Sequence, residues 1–287
     1  MADFPTNGQA AKLRVIRGGA RAPSVVTRRA VAVAGGKGGV GKSTVALNLA
    51  IAYSQLGART LMVDTDLGMA DLNLLLGVAP ARSLLDALGG TPIEDILVEA
   101  HGIELLPALN GSYLLSTIGP VAQRRLLDMV ASLTDRFDTL VVDVAAGIGE
   151  VQTRFAGATS DTIVVVNPEP LSMADPYACL KVLATEQGVK HAYVVPNRVT
   201  SRAQADEVSA RLTALVDRFL ELDLTTLPPI PADPAVTEAA QIGVPLLVHA
   251  PGSPAARAIR ALTTSLATFA PTASQANWWR AAQGDSR

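Results

Sequence analysis

Between residues 31 and 44 the chain reads Val-Ala-Val-Ala-Gly-Gly-Lys-Gly-Gly-Val-Gly-Lys-Ser-Thr, and few folds can accommodate that string. Its four apolar residues predict a buried strand, and Val45, Leu47, Leu49, Ala50 and Ile51 predict a helix packed against it. In between, Gly36, Gly41, Lys42 and Ser43 meet the spacing G-x-x-x-x-G-K-[ST] of a phosphate-binding loop. The residue types follow from the chemistry. Glycines at Gly36, Gly38, Gly39 and Gly41 let the loop's backbone N–H groups, that of Val40 among them, converge on an anion. The helix that follows, opening with Lys42, Ser43 and Thr44, adds the positive end of its dipole. Lys42 would neutralise the β- and γ-phosphates, and the Ser43 hydroxyl would ligate Mg²⁺.

Lys37 places a second cation inside the loop; alone it says no more than that. Two further segments supply carboxylates. Residues 60–64 predict a strand ending at Asp64, with Asp66 two positions on, which in a parallel α/β sheet lies beside the phosphate loop. Asp64 would reach Mg²⁺ through a water, and Asp66 would orient or deprotonate an attacking water. A strand-end turn whose aspartates cap a helix is the competing reading. Residues 138–143, Asp-Thr-Leu-Val-Val-Asp, predict another apolar strand that delivers Asp143 beside the same ion.

Composition bounds the rest. Of 287 residues 49% are hydrophobic and 17% charged, with a net charge of −2, which describes a well-buried globular chain with no global attraction to nucleic acid or anionic membrane. Cys179 is the single cysteine, leaving no pair for a disulfide or a metal cluster within one chain. No apolar run approaches membrane-spanning length and no leader is visible, so the expected location is the cytoplasm. Strands alternate with helices over residues 30–270, predicting one α/β domain: a single doubly wound, mostly parallel sheet with helices on both faces. Residues 1–29, with Lys12, Arg14, Arg17, Arg21, Arg28 and Arg29 against Asp3, read as a mobile basic arm. Residues 271–287 read as a tail carrying Trp278 and Trp279.

The Gly36-to-Thr44 string resembles the deviant Walker A motif of the MinD/ParA ATPases, P-loop NTPases of the SIMIBI type, whose extra lysine contacts phosphate across an ATP-bound dimer. Lys37 matches that lysine. Residues 63–77 resemble the family's switch I, with Asp71 and Asn73 in exchanged order. Residues 143–148 resemble switch II, D-T-[AP]-A-G-I, with Val144 in place of Thr and Gly147 kept where a backbone N–H approaches the γ-phosphate. The Asn-Pro-Glu-Pro run at 167–170 is similar to the FlhG/FleN branch.

The resemblance implies that Asn197 reads the adenine edge, with Arg198 beside it, although Asn197 also reads as a turn former. It implies that backbone at Pro231 and Asp233 flanks the base. The arm's Gln9-Ala10-Ala11-Lys12-Leu13-Arg14 resembles the FlhG activator motif D-Q-A-x-x-L-R, with Gly8 replacing the Asp. Slow Mg²⁺-dependent ATP hydrolysis coupled to homodimerisation follows from the resemblance, as does control of flagellar number or placement. The implied partners are an FlhF-type GTPase, met through Gln9 to Arg14, and flagellar regulator or switch proteins. A weak contact of the tail with the inner face of the cell membrane is also implied. The alternative is a MinD/ParA-type ATPase that positions division machinery, chromosomes or other cargo. An iron–sulfur carrier sharing the loop is opposed by the lone Cys179, and a tyrosine-kinase relative by scattered tyrosines. A nucleotide-locked module that never hydrolyses ATP stays open.

Overall fold

In the computed structural model, which describes residues 28–66, 71–108, 119–147, 149–169 and 173–269, strand β1 (Arg29–Ala34) is buried along its whole length. The strands β5 (Thr139–Asp143) and β6 (Asp161–Val166) flank it, both parallel and equally buried. Beyond β5 lie β2 (Thr60–Asp64) and β4 (Ile103–Leu106), and β3 (Val98–Ala100) closes that edge antiparallel. On the other side β7 (His191–Val199) and β8 (Asp223–Thr226) continue the sheet, and β9 (Ile230–Pro231) pairs with the far end of β7. The order β3-β4-β2-β5-β1-β6-β7-β8 is the mostly parallel arrangement that near-continuous apolar strands require, because helices must cover both faces. The loops leaving the carboxyl ends of β1, β2 and β5 open into one crevice.

Strand periodicity sorts the core into two layers. Val31, Val33, Met62 and Val141 point to the face covered by α1 (Lys42–Gln55) and α10 (Pro254–Thr268). Ala32, Val63, Leu140 and Val142 point the other way. There they meet Leu84 of α3 (Leu84–Leu88), Leu126 of α4 (Pro120–Ser132), Phe155 of α5 (Glu150–Gly157) and Leu183 of α6 (Ala174–Glu186). Further along, α7 (Arg202–Phe219) packs Leu212 and Val216 against β6 and β7. Truncating any of these buried leucines to alanine would cost about 2–5 kcal/mol. Helix α1 is buried without interruption over residues 45–53, because the sheet covers one side and α10 the other. That is why its sequence is apolar all round rather than striped.

The sheet begins one residue earlier than the sequence boundary. Arg29, expected in the mobile arm, is part of β1 and only 4% exposed. Its guanidinium donates to the carbonyl oxygens of Leu266 (2.5 Å) and Phe269 (2.7 Å) and lies 3.9 Å from the Asp161 carboxylate. A buried charge persists when partners of this kind replace its water. Helix α4 stops at Ser132 and is followed by a 3₁₀ turn, Thr134–Arg136. The arm's Gln9-to-Arg14 motif and the tail with Trp278 and Trp279 lie outside the described residues. Among the described residues no helix is long and apolar enough to cross a membrane.

Candidate functional site

The loop between β1 and α1 is built as its glycines require. Gly39 and Gly41 take positive φ, 78° and 98°, and among the described residues a Cβ on Gly38 or Gly39 would meet nothing within 4 Å. Gly41 differs: a Cβ there would come within 2.5 Å of the Asn197 Nδ2. Gly36 differs again, since its Cβ would fall 2.0 Å from the backbone carbonyl carbon of Asp175 at the start of α6. Gly36 therefore allows α6 to close against the loop, a packing role that the motif alone does not reveal. Helix α1 starts at Gly41 with no side-chain cap and no acid in its first turn. By contrast, Ser201, Asp233 and Ser253 cap α7, α8 (Pro234–Gln241) and α10. An uncapped helix start behind a glycine loop fits a phosphate group.

Lys42 is 7% exposed, and its ammonium donates to the Lys37 carbonyl at 3.1 Å. Burial lowers its pKa, while Asp143, Asp66 and Cys179 oppose that shift. The Lys37 ammonium pairs with the Glu169 carboxylate, and that hydrogen bond holds Glu169 below its ordinary range. Asp64 and Asp143 are register partners at the carboxyl ends of β2 and β5, 1% and 4% exposed. The Asp66 N–H donates to Asp64 Oδ1 at 2.8 Å. Ser43 sits in the first turn of α1. Lys42 lies near the Asp66 and Asp143 carboxylates, and Asp64 is the register partner of Asp143. Carboxylates placed beside a phosphate-binding loop suit Mg²⁺, which takes one or two carboxylates and keeps several waters. Among the described residues no group of three His, Cys, Asp or Glu is placed to hold a metal ion unaided.

The region around Asn197 is equally specific. Strand β7 bulges between Asn197 and Val199, and Arg198 at the bulge has φ 58°, a left-handed conformation rare for an arginine. The bulge turns Arg198 to solvent and Asn197 inward. Asn197, 6% exposed, donates through Nδ2 to the Val40 carbonyl at 2.8 Å. A cleft of about 450 Å³ lies between Gly41, Thr44, Asn197, Arg198, Pro231 and Asp233, within the size range of small-ligand sites. Asp233 has a second duty. Its carboxylate accepts from Ala235 N (3.0 Å) and Ala255 N (2.9 Å), capping α8 and α10 together. Burial alone would raise its pKa, but those two N–H donors, the Ser253 hydroxyl and the Arg257 charge together hold the group low.

The remaining expected residue, Gly147, has φ 105°, and a Cβ there would meet none of the described residues within 4 Å. Val144 answers the question its Thr-to-Val departure raised. Its side chain is 3% exposed and lies in the apolar layer with Ala34 and Phe155, so valine is what that position packs best. Two residues escaped sequence reasoning: Glu169, the partner of Lys37, and Thr65, between the two carboxylates. Glu169 is 132 positions from its partner, and no local spacing encodes that.

Residues 26–267 match the ParA family, described as NUBPL iron-transfer P-loop NTPases. The chain is 38% identical over 213 residues to the antiactivator FleN of Pseudomonas aeruginosa, spanning 74% of this chain and 76% of FleN. It is 35% identical over 155 residues to the flagellum site-determining protein YlxH of Helicobacter pylori, 53% of this chain and 52% of YlxH. The septum site-determining protein MinD of Pyrococcus horikoshii, solved with Mg-ADP, superposes with a TM-score of 0.68 at 27% identity, over 83% of this chain and 95% of that one. With that match across most of its length, and with loop, strand-end carboxylates and sheet order in place, the chain belongs to the ParA/MinD family of P-loop NTPases.

Proposed function

We propose that this chain is a Mg²⁺-dependent ATPase that switches between monomer and homodimer and acts in setting flagellar number or placement. The observation that carries the reading is the two-lysine phosphate loop facing the Asp64–Asp143 register pair, in a chain 38% identical to an antiactivator. Ser43, Asp64 and Asp143 would hold Mg²⁺, whose charge would offset that of the phosphate oxygens. Lys42 and the uncapped α1 start bind and orient the phosphates. Asp66 holds the attacking water, and Gly147 offers its backbone N–H to the γ-phosphate. Asn197, Arg198 and the Pro231–Asp233 backbone enclose the adenine. Lys37 clamps phosphate across the dimer after leaving Glu169.

Phosphate release and size-exclusion in ATP test this together. Wild type should turn over slowly and dimerise, Asp66→Ala should dimerise without turnover, and Lys37→Ala should stay monomeric. No wild-type turnover would leave a nucleotide-locked module instead. The flagellar role draws on FleN and on YlxH, whose name ties it to the flagellum. It places an FlhF-type GTPase at Gln9 to Arg14, flagellar regulator proteins on the dimer, and weak membrane contact at Trp278 and Trp279. Removing residues 1–20 should abolish GTPase stimulation; unchanged stimulation would refute that contact. The MinD likeness supports a second reading, a positioner of other cargo; altered septum position with normal flagella in a deletion strain would favour it.

A further inference from the structure

Thr65 stands between Asp64 and Asp66 and is 2% exposed. Its backbone N–H donates to the Asp143 carbonyl at 3.1 Å. Its hydroxyl donates to the same carbonyl at 2.8 Å and accepts from the Ala145 N–H at 3.2 Å. The β2–β5 ladder has its last register pair at Asp64 and Asp143. Past that pair the two strands would normally part, and here a side chain carries the pairing one step further. Val144 cannot do this, because its side chain is committed to the apolar layer and its N–H to the Val33 carbonyl.

We propose that Thr65 is a positioning residue that couples the two sides of the nucleotide site. Its hydroxyl ties the segment carrying Asp66 to the segment carrying Gly147, so that the water-holding carboxylate and the γ-phosphate N–H move as one unit. The geometry supports this over simple packing. Asp66 is one residue beyond Thr65, and Gly147 two beyond Ala145. Displacing either segment breaks hydrogen bonds held by the other; the bond to the Asp143 carbonyl is buried and the one from the Ala145 N–H partly so, and an unmade bond in such surroundings is costly. This role rests on the ATPase reading above.

Thr65→Val keeps the shape and removes the hydroxyl, and Thr65→Ser restores the hydroxyl without the methyl. Steady-state ATP hydrolysis by the full-length chain, with amide exchange at Ala145, tests the coupling. Thr65→Val should lower kcat about 10- to 100-fold, the size expected for a misplaced reacting group. KM should hold near wild type and Ala145 should exchange faster. Thr65→Ser should recover most of kcat. Equal kcat in Thr65→Val overturns the proposal, as does failure of Thr65→Ser to recover activity while its melting temperature is restored. A wild-type chain with no ATP turnover is a distinct result, which overturns the ATPase reading itself. If Thr65→Val is too unstable to assay, Thr65→Ala at reduced temperature gives the same kcat-against-KM split.

Discussion

The two ends of this sheet each bury charge, and they do it in opposite ways. At the amino end, Arg29 on β1 meets Asp161 on β6, both side chains fully buried. The guanidinium also holds the Leu266 and Phe269 carbonyls, and Ser160 Oγ donates to Asp161 at 3.0 Å. Among the described residues opposite charges meet one to one, and carbonyls at the end of α10 accept from both terminal nitrogens of the guanidinium. At the carboxyl end, Lys42 faces Asp66 and Asp143, with Asp64 in register beside Asp143, next to an uncapped helix start and a glycine loop. Those carboxylates suit a divalent cation brought in with a nucleotide. Charge at one end closes the fold, and charge at the other waits for a ligand.

The same substitution at each end should separate the two. Lys42→Met should give the largest effect: ATP turnover falling by more than about 100-fold, because the cation opposite the developing phosphate charge is gone. Its melting temperature should barely move, since the ammonium already carries a burial cost that lowers its pKa. Phosphate release and thermal unfolding on one preparation check both halves. A large stability loss in Lys42→Met would erase the distinction between the two ends.

Arg29→Met should do the reverse. Leaving Asp161 buried without its cation costs about 3–5 kcal/mol, while replacing both members by apolar residues, Arg29→Met with Asp161→Leu, should recover most of it. Burial raises the Asp161 pKa, and Arg29 is what opposes that rise. Without Arg29 the folded-state value climbs further above the unfolded one. Stability of the single variant should therefore be best in acid, below the ordinary carboxylate pKa, and fall as pH rises through the folded value. Denaturant melts from pH 4 to 8 read this directly, and turnover per folded molecule should match wild type.

The contrast also explains which parts were legible in the sequence. The carboxyl-end cluster reads out because its geometry is local: Gly36 to Ser43 is one loop, and Asp64, Asp66 and Asp143 close apolar strands whose pattern announces them. The strand ends at 64 and 143 fall where the sequence puts them. The amino-end cluster does not read out. Arg29 sits in a run of basic residues, and only the pairing of β1 with β6, about 130 positions away, shows that it turns inward. Glu169 and Thr65 stay hidden for the same reason, since Lys37 and Ala145 reach them through the fold and not through the chain. Gly36 was read for the right loop but half its role, because the backbone of Asp175 against it is a tertiary contact.

Asp233 joins the two kinds of charge, and it should give the smallest effect. It lines the nucleotide cleft, yet its carboxylate is spent on the starts of α8 and α10. Asp233→Ala should therefore cost about 1–2 kcal/mol, as expected for lost N-caps, and leave ATP affinity near wild type if only its backbone flanks the base. The pH signature fixes the assignment. The folded-state pKa is lowered, so its contribution is present above the ordinary carboxylate pKa and is lost as pH falls through the folded value. Wild type should lose that stability in acid, and Asp233→Ala should show a flatter acid limb. A large fall in ATP affinity at unchanged stability would move Asp233 from the fold's charges to the ligand's.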